Sequence, residues 1–140
     1  MIVIDACVGV KWFLDEAGSE AAAKLLVAQR DHITAPELFA VEVAATLVRE
    51  ANARKSLAND MRLALARLAA LFDSGAIALN LTTPQNIADA GSLAIDLGHP
   101  LKDCLYLALA MELGCPLVTA DARFAAKARG VYGEVRVLGR

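Results

Sequence analysis

Two short apolar runs in this chain each end on an aspartate: Met1-Ile2-Val3-Ile4 closes on Asp5, and Leu117-Val118-Thr119-Ala120 closes on Asp121. Each run reads as a short buried strand, and an acid at its carboxyl end lies where open parallel sheets bind their ligands. Between them, strand and helix patterns alternate. Helical segments are expected over Val8 to Leu14 and Glu20 to Gln29, followed by a strand over His32 to Ala35. Pro36 suits the start of the next helix, Glu37 to Asn52, and Ser56 suits the cap of another, Leu57 to Asp73. Gly75 ends this helical hairpin before a strand over Ala76 to Leu81, and Thr83-Pro84 opens a helix that Gly98 stops. After the His99-Pro100 turn, a helix beginning at Asp103 runs to Gly114, and Pro116 launches the strand that delivers Asp121. A short helix, Ala122 to Arg129, and a last strand, Glu134 to Leu138, complete the pattern. This βαβ alternation, without repeat or linker, predicts a single α/β domain over residues 1–140, three-layered (α/β/α), with a mostly parallel sheet of four or five strands.

Composition narrows the class. Hydrophobic residues make up 57% of the 140, yet no apolar run reaches the roughly 18 residues of a membrane span, because Glu42 and Arg67 interrupt the best candidates. A soluble, core-rich protein is expected. The N-terminus enters a core strand without a signal-like segment, so the expected location is cytoplasmic. Cys7, Cys104 and Cys115 are odd in number, lie in apolar surroundings and form no C-x-x-C pair, which argues against disulfides and against zinc. With 14 basic and 16 acidic residues the net charge of −2 does not advertise nucleic-acid binding, although bound metal would offset part of the acidic count.

Two more acids stand in apolar settings. Glu42 interrupts Leu38-Phe39-Ala40-Val41 and Val43-Ala44-Ala45, and Asp103 precedes Cys104-Leu105-Tyr106-Leu107-Ala108-Leu109-Ala110-Met111. Taken alone, Asp5 or Asp121 is more simply a turn or N-cap residue, and Asp103 serves equally as a first-turn acid. Glu42 is harder to dismiss, because Glu37 already supplies the dipole-friendly acid of its helix. Were the four to converge, two carboxylates about 5 Å apart at an effective dielectric of about 20 would repel by about 3 kcal/mol. No built-in cation is evident, since Lys102 is expected to point off the helix face that carries Asp103 and Lys11 lies a turn beyond Cys7. An all-oxygen, anionic site of this kind suits Mg²⁺, or Mn²⁺ as the alternative, better than zinc or copper.

These segments resemble the PIN domain family, and within it the VapC-type toxins of bacterial toxin–antitoxin pairs. The resemblance runs through Ile2-Val3-Ile4-Asp5-Ala6-Cys7-Val8, Val41-Glu42-Val43-Ala44, Asp103-Cys104-Leu105-Tyr106-Leu107-Ala108 and Leu117-Val118-Thr119-Ala120-Asp121, in the family's order. It implies a metal-dependent endoribonuclease whose ion is held by Asp5, Glu42, Asp103 and Asp121, with Thr119 bonding to a ligand carboxylate or to water on the metal. It further implies RNA as substrate, an antitoxin protein as partner, a homodimer, and products bearing a 5′-phosphate and a 3′-hydroxyl. Three positions depart from the pattern: Cys7 where a small polar residue is usual, Ala45 where asparagine is common, and Lys102 where tyrosine is common. They bear on activity and substrate preference.

Other readings differ in class. A phosphoacceptor receiver would need an aspartate at the end of its central strand and a later lysine, which Leu79-Asn80-Leu81-Thr82 and Val135-Arg136-Val137-Leu138 do not offer. A haloacid-dehalogenase-like phosphatase would need an aspartate at position 7, where Cys7 stands. A PIN-like module that binds RNA or a partner without cutting is the stronger rival. For RNA contact, Arg49, Arg54, Lys55, Arg62 and Arg67 gather near the helical hairpin, with a solvated face as the plainer explanation. Trp12 reads as core or partner contact, and His32 and His99 as edge and turn residues.

Overall fold

The computed structural model describes all 140 residues. Five strands form one sheet in the order β3-β2-β1-β4-β5, and every neighbouring pair is parallel. They are β1 (Ile2–Ile4), β2 (Ile33–Pro36), β3 (Ile77–Asn80), β4 (Leu117–Thr119) and β5 (Val135–Val137). β1, β2 and β4 are buried along their whole length, as expected of parallel strands covered on both faces. Seven helices connect them: α1 (Ala6–Val10), α2 (Ser19–Ala28), α3 (Leu38–Ala53), α4 (Ala58–Asp73), α5 (Pro84–Leu97), α6 (Leu101–Leu113) and α7 (Ala122–Ala128).

From β1 the chain steps outward through β2 to β3, returns to β4 on the other side of β1, and steps outward again to β5. Right-handed crossovers then put α1–α4 on one face of the sheet and α5–α7 on the other. The reversal lies between β1 and β4, so the ligand crevice of an open α/β sheet falls outside the carboxyl ends of these two strands. Asp5 follows β1 directly, and Asp121 follows β4 by two residues. The Asp5 N–H donates to the Val118 carbonyl at 3.2 Å, which ties the two strand ends together.

The helix stops expected at Gly98 and Gly114 are present; both residues adopt left-handed φ of 57° and 61°. Thr83 caps α5 in a reciprocal capping box with Asn86, with Pro84 in the first turn. Three local expectations need correction. Pro36 is the last residue of β2 and does not open α3; the β1–β2 ladder stops at Thr34, so its missing N–H costs no bond to β1. Ser56 sits inside a single 3₁₀ turn, Lys55–Leu57, that runs directly into α4 and leaves no side-chain cap. The first helix spans Ala6–Val10 and not Val8 to Leu14. Lys11, Trp12 and Phe13 follow it in turns that bond three residues back, and the Trp12 indole N–H is anchored on the Ala22 carbonyl at 2.9 Å.

One close approach sets the crevice. A Cβ on Gly9 would lie 2.4 Å from Phe39 Cζ and 3.1 Å from Val43 Cγ2, so α1 rests on α3 where only glycine fits. Phe39 and Val43 are fully buried and have little room to yield. Gly9→Ala is therefore expected to destabilise the protein by about 1–3 kcal/mol, measured by urea unfolding, with α1 displaced from α3. Unchanged stability would mean that this contact relaxes freely.

Candidate metal centre

The crevice is a cavity of about 520 Å³, and Asp5, Glu42, Asp103 and Asp121 all line it, together with Cys7, Lys102, Tyr106 and Arg49. Residues drawn from β1, α3, α6 and the end of β4 thus meet in one place. Asp5 and Asp121 arrive as helix N-caps after strands, and Glu42 and Asp103 arrive on helices.

Asp5, 5% exposed, is the N-cap of α1; its Oδ1 accepts from the Val8 N–H at 3.3 Å and from the Cys7 thiol. Burial pushes its carboxyl up to about 6; bonds from Cys7, Thr119 and Val8 pull the other way, and the negative charge of Asp103 adds to the rise. Cys7 does the work of a polar residue here. Its sulfur also accepts the Ala120 N–H at 3.2 Å and lies 3.6 Å from the Thr119 hydroxyl oxygen. Burial and then the Asp5 charge push the thiol up to about 12, so it remains a neutral donor. Thr119 is fully buried beneath the acids, and its Oγ1 accepts the Asp121 N–H at 3.0 Å.

Glu42 projects from α3 and meets two groups of α6. The Tyr106 hydroxyl donates to Oε2 at 2.5 Å, and Lys102 Nζ pairs with Oε1 at 3.0 Å. The expectation that no cation is built in is thus overturned: Lys102 and Tyr106, four apart on α6, share a face and reach across the crevice. Tyr106 is buried, and burial followed by the Glu42 bond and charge raises its hydroxyl far above the usual tyrosine range, keeping it a donor. Asp103, in the first turn of α6, has Oδ2 2.6 Å from His99 Nε2. His99 is therefore more than a turn residue. Asp121 is exposed and is the N-cap of α7, its Oδ1 accepting the Arg123 and Phe124 N–H groups, both at 2.9 Å.

The acids thus share one cavity but do not close into a tight cluster: no three Asp, Glu, His or Cys side chains in the protein lie in ion-holding geometry. The donor set nonetheless fits a hard dication. It is all oxygen and all carboxylate, and Asp5 is buried with no cation bonded to it, a condition that a bound dication relieves.

Of the five basic residues near the helical hairpin, Arg49 lines this cavity, with Nη2 donating to Thr46 Oγ1 at 2.8 Å. Arg54, Lys55, Arg62 and Arg67 lie outside it; the first three are engaged with Glu50, Asn52 and Asn59, and Arg67 is exposed on α4. Glu42, Ala45, Thr46 and Arg49 form one stripe of α3 along the cavity wall. Lys102 and Tyr106 as partners of Glu42, and His99 as partner of Asp103, are what sequence reasoning missed. The i, i+4 spacing of His99 and Asp103 and of Lys102 and Tyr106 was the available signal.

No curated protein matches the chain. Among solved structures, the crystal structure of PAE2754 from Pyrobaculum aerophilum is similar over 98% of this chain and 88% of that one, with a TM-score of 0.64 and 18% identity, a likeness of fold. The model of the PIN domain matches residues 2–130, which run from β1 through α7 and include all four acids and Thr119. By fold, strand order and this match, the chain belongs to the PIN domain family.

Proposed function

We propose that the protein is a metal-dependent endoribonuclease and the toxin of a VapC-type toxin–antitoxin pair. PIN domains are in general metal-dependent nucleases, and the observation that carries the reading to this chain is that four carboxylates from four separate elements line one cavity at the sheet's switch point. Asp5, Glu42, Asp103 and Asp121 would hold Mg²⁺ or Mn²⁺, directly or through water. When bound, such an ion acts as a Lewis acid on the phosphodiester and makes water a better nucleophile.

The chain's own residues supply the rest. One of the four would accept the attacking water's proton, and Asp5 would present a buried carboxylate to the ion. Thr119 and Cys7 fix the Asp5 carboxylate from below, and Tyr106 fixes Glu42 from the side. Arg49 and Lys102 place positive charge on the cavity wall, where an RNA phosphate would approach. A second copy of the chain and an antitoxin are the proposed protein partners. Exposed apolar side chains such as Val27, Ile87 and Ile95 are compatible with such contacts. No helix is long and apolar enough to cross a membrane.

One observation favours a rival, a PIN module that binds RNA or a partner without cutting: Glu42, Asp103 and Asp121 each have protein donors, so the cavity persists without an ion. The two readings separate in one experiment. Purified protein is incubated with a labelled pool of structured and single-stranded RNAs in Mg²⁺, Mn²⁺ or EDTA. Metal-dependent cleavage leaving 5′-phosphate ends is expected; binding without cleavage in any metal would hand the function to the module.

Lys102 faces the same carboxylate that a dication would need. Its ammonium offsets the charge of Glu42 and competes with any dication, although at 66% side-chain exposure the pair is worth only about 0.5–1 kcal/mol. Lys102→Met is therefore expected to tighten Mn²⁺ binding about two- to fivefold in calorimetric titration. Weaker binding would show that the ammonium supports the site and does not compete for it.

A further inference from the structure

His99 and Phe124 occupy a place in the fold that a turn residue and a core phenylalanine do not require. The His99 ring lies flat on the Phe124 ring, centroids 4.6 Å apart and planes 18° from parallel. Its side chain is largely buried, and its Nε2 is 2.6 Å from Asp103 Oδ2. Because a carboxylate accepts, Nε2 carries the hydrogen. Phe124, fully buried, belongs to the first turn of α7, and its backbone N–H donates to Asp121 Oδ1 at 2.9 Å. A continuous path therefore joins two acids of the cavity: Asp103 to His99 by a hydrogen bond, His99 to Phe124 by ring stacking, and Phe124 to Asp121 by a backbone bond. Lys127, on the same helix as Phe124, donates from Nζ to the Gly98 carbonyl at 2.9 Å and pins α7 to the turn that carries His99.

We infer that His99, stacked on Phe124, is a positioning residue that fixes the Asp103 carboxylate relative to Asp121, so that both face a dication together. The inference rests on the reading of Asp103 and Asp121 as metal-holding acids. Sequence accounts for the arrangement. Gly98 turns the chain with its left-handed φ, α6 starts at Leu101, and the i, i+4 spacing from His99 to Asp103 spans that start. Without the His99 bond, Asp103 would have rotamer freedom to lose on every binding event. Outer partners that orient a ligand in this way are typically worth about 10- to 100-fold in metal affinity.

The test compares Mn²⁺ affinity, by electron paramagnetic resonance, in the wild type, Asp103→Asn, His99→Phe and His99→Gln, with the melting temperature of each in chelator. His99→Phe keeps a flat ring against Phe124 and removes the donor; His99→Gln keeps a donor of similar reach. The expected result is that His99→Phe loses about tenfold in affinity with its melting temperature nearly unchanged, and that His99→Gln recovers most of the loss. If Asp103→Asn weakens binding while His99→Phe binds as the wild type does, the positioning role is overturned and the metal centre stands. If Asp103→Asn leaves binding intact, Asp103 is not a ligand and the inference falls with that reading. Should His99→Phe fail to fold, His99→Gln is compared with His99→Asn, whose shorter amide falls short of Asp103. Tighter binding by the glutamine variant supports the role, and equal binding overturns it.

Discussion

Asp5→Asn is expected to lose RNA cleavage by more than about 100-fold and yet, in chelator at neutral pH, to be more stable than the wild type. The two effects have one cause. Asparagine keeps an oxygen for the Val8 N–H and so retains the cap of α1, but it removes a charge that the fold buries without a cation. The pKa of Asp5 is about 6 in the folded protein, against 3.8 for the ordinary side chain. Below pH of about 3.8 the group is protonated in both states and has no effect. As pH rises from there to about 6, the unfolded chain releases this proton first, so the wild type loses stability and stays lower above pH 6. The loss is about 1–3 kcal/mol, from a shift of about two units at about 1.4 kcal/mol each with allowance for donors left facing the new amide. Asp5→Asn lacks this slope, so its melting temperature plotted against pH in chelator should rise above the wild-type curve beyond pH of about 5. Saturating Mn²⁺ should reverse the order, because only the wild type gains binding energy. A variant that melts below the wild type at pH 7 in chelator would make Asp5 a structural cap whose charge the fold needs.

Asp121 should behave in the opposite way. Its Oδ1 holds two N–H groups at the start of α7, and the side chain is exposed. Asp121→Ala is expected to cost about 1–2 kcal/mol of stability through the lost cap and to abolish cleavage; Asp121→Asn should restore the cap and leave cleavage lost by more than about 100-fold. Chemical denaturation and a cleavage assay on the pair separate the two roles. An Asp121→Asn protein that cuts RNA at the wild-type rate would reduce Asp121 to a cap residue.

The fold was legible because its strands are short apolar runs bounded by unambiguous punctuation. Gly98, Gly114, Thr83-Pro84 and Pro116 each impose one local conformation, and the structure uses them as such. Where sequence misled, tertiary context decided. Pro36 looked like a helix start but ends a strand whose neighbour on the β1 side has already stopped, and Ser56 lost its capping place to a tight turn. The strand-end acids could be placed from sequence because a parallel sheet with a switch point brings its carboxyl ends together. What surrounds the acids could not. Whether Lys102 folds back onto Glu42 depends on the angle between α3 and α6, and whether His99 meets Phe124 depends on how α7 packs beside the start of α6. Neither angle is written in local periodicity. Cys7 illustrates the limit: its apolar sequence surroundings say nothing of the hydrogen bonds that make it a support for Asp5.

We propose the cavity bounded by Asp5, Glu42, Asp103 and Asp121 as a dication site. Crystals soaked in Mn²⁺ and measured at the manganese absorption edge test it directly. An anomalous peak is expected inside this cavity, within ligand or single-water reach of Asp5 and Asp103, and should be absent from Asp5→Asn crystals treated in the same way. A wild-type cavity empty at saturating Mn²⁺, or a peak unaffected by Asp5→Asn, would contradict it and leave the four acids as caps and partners of the protein's own cations and donors.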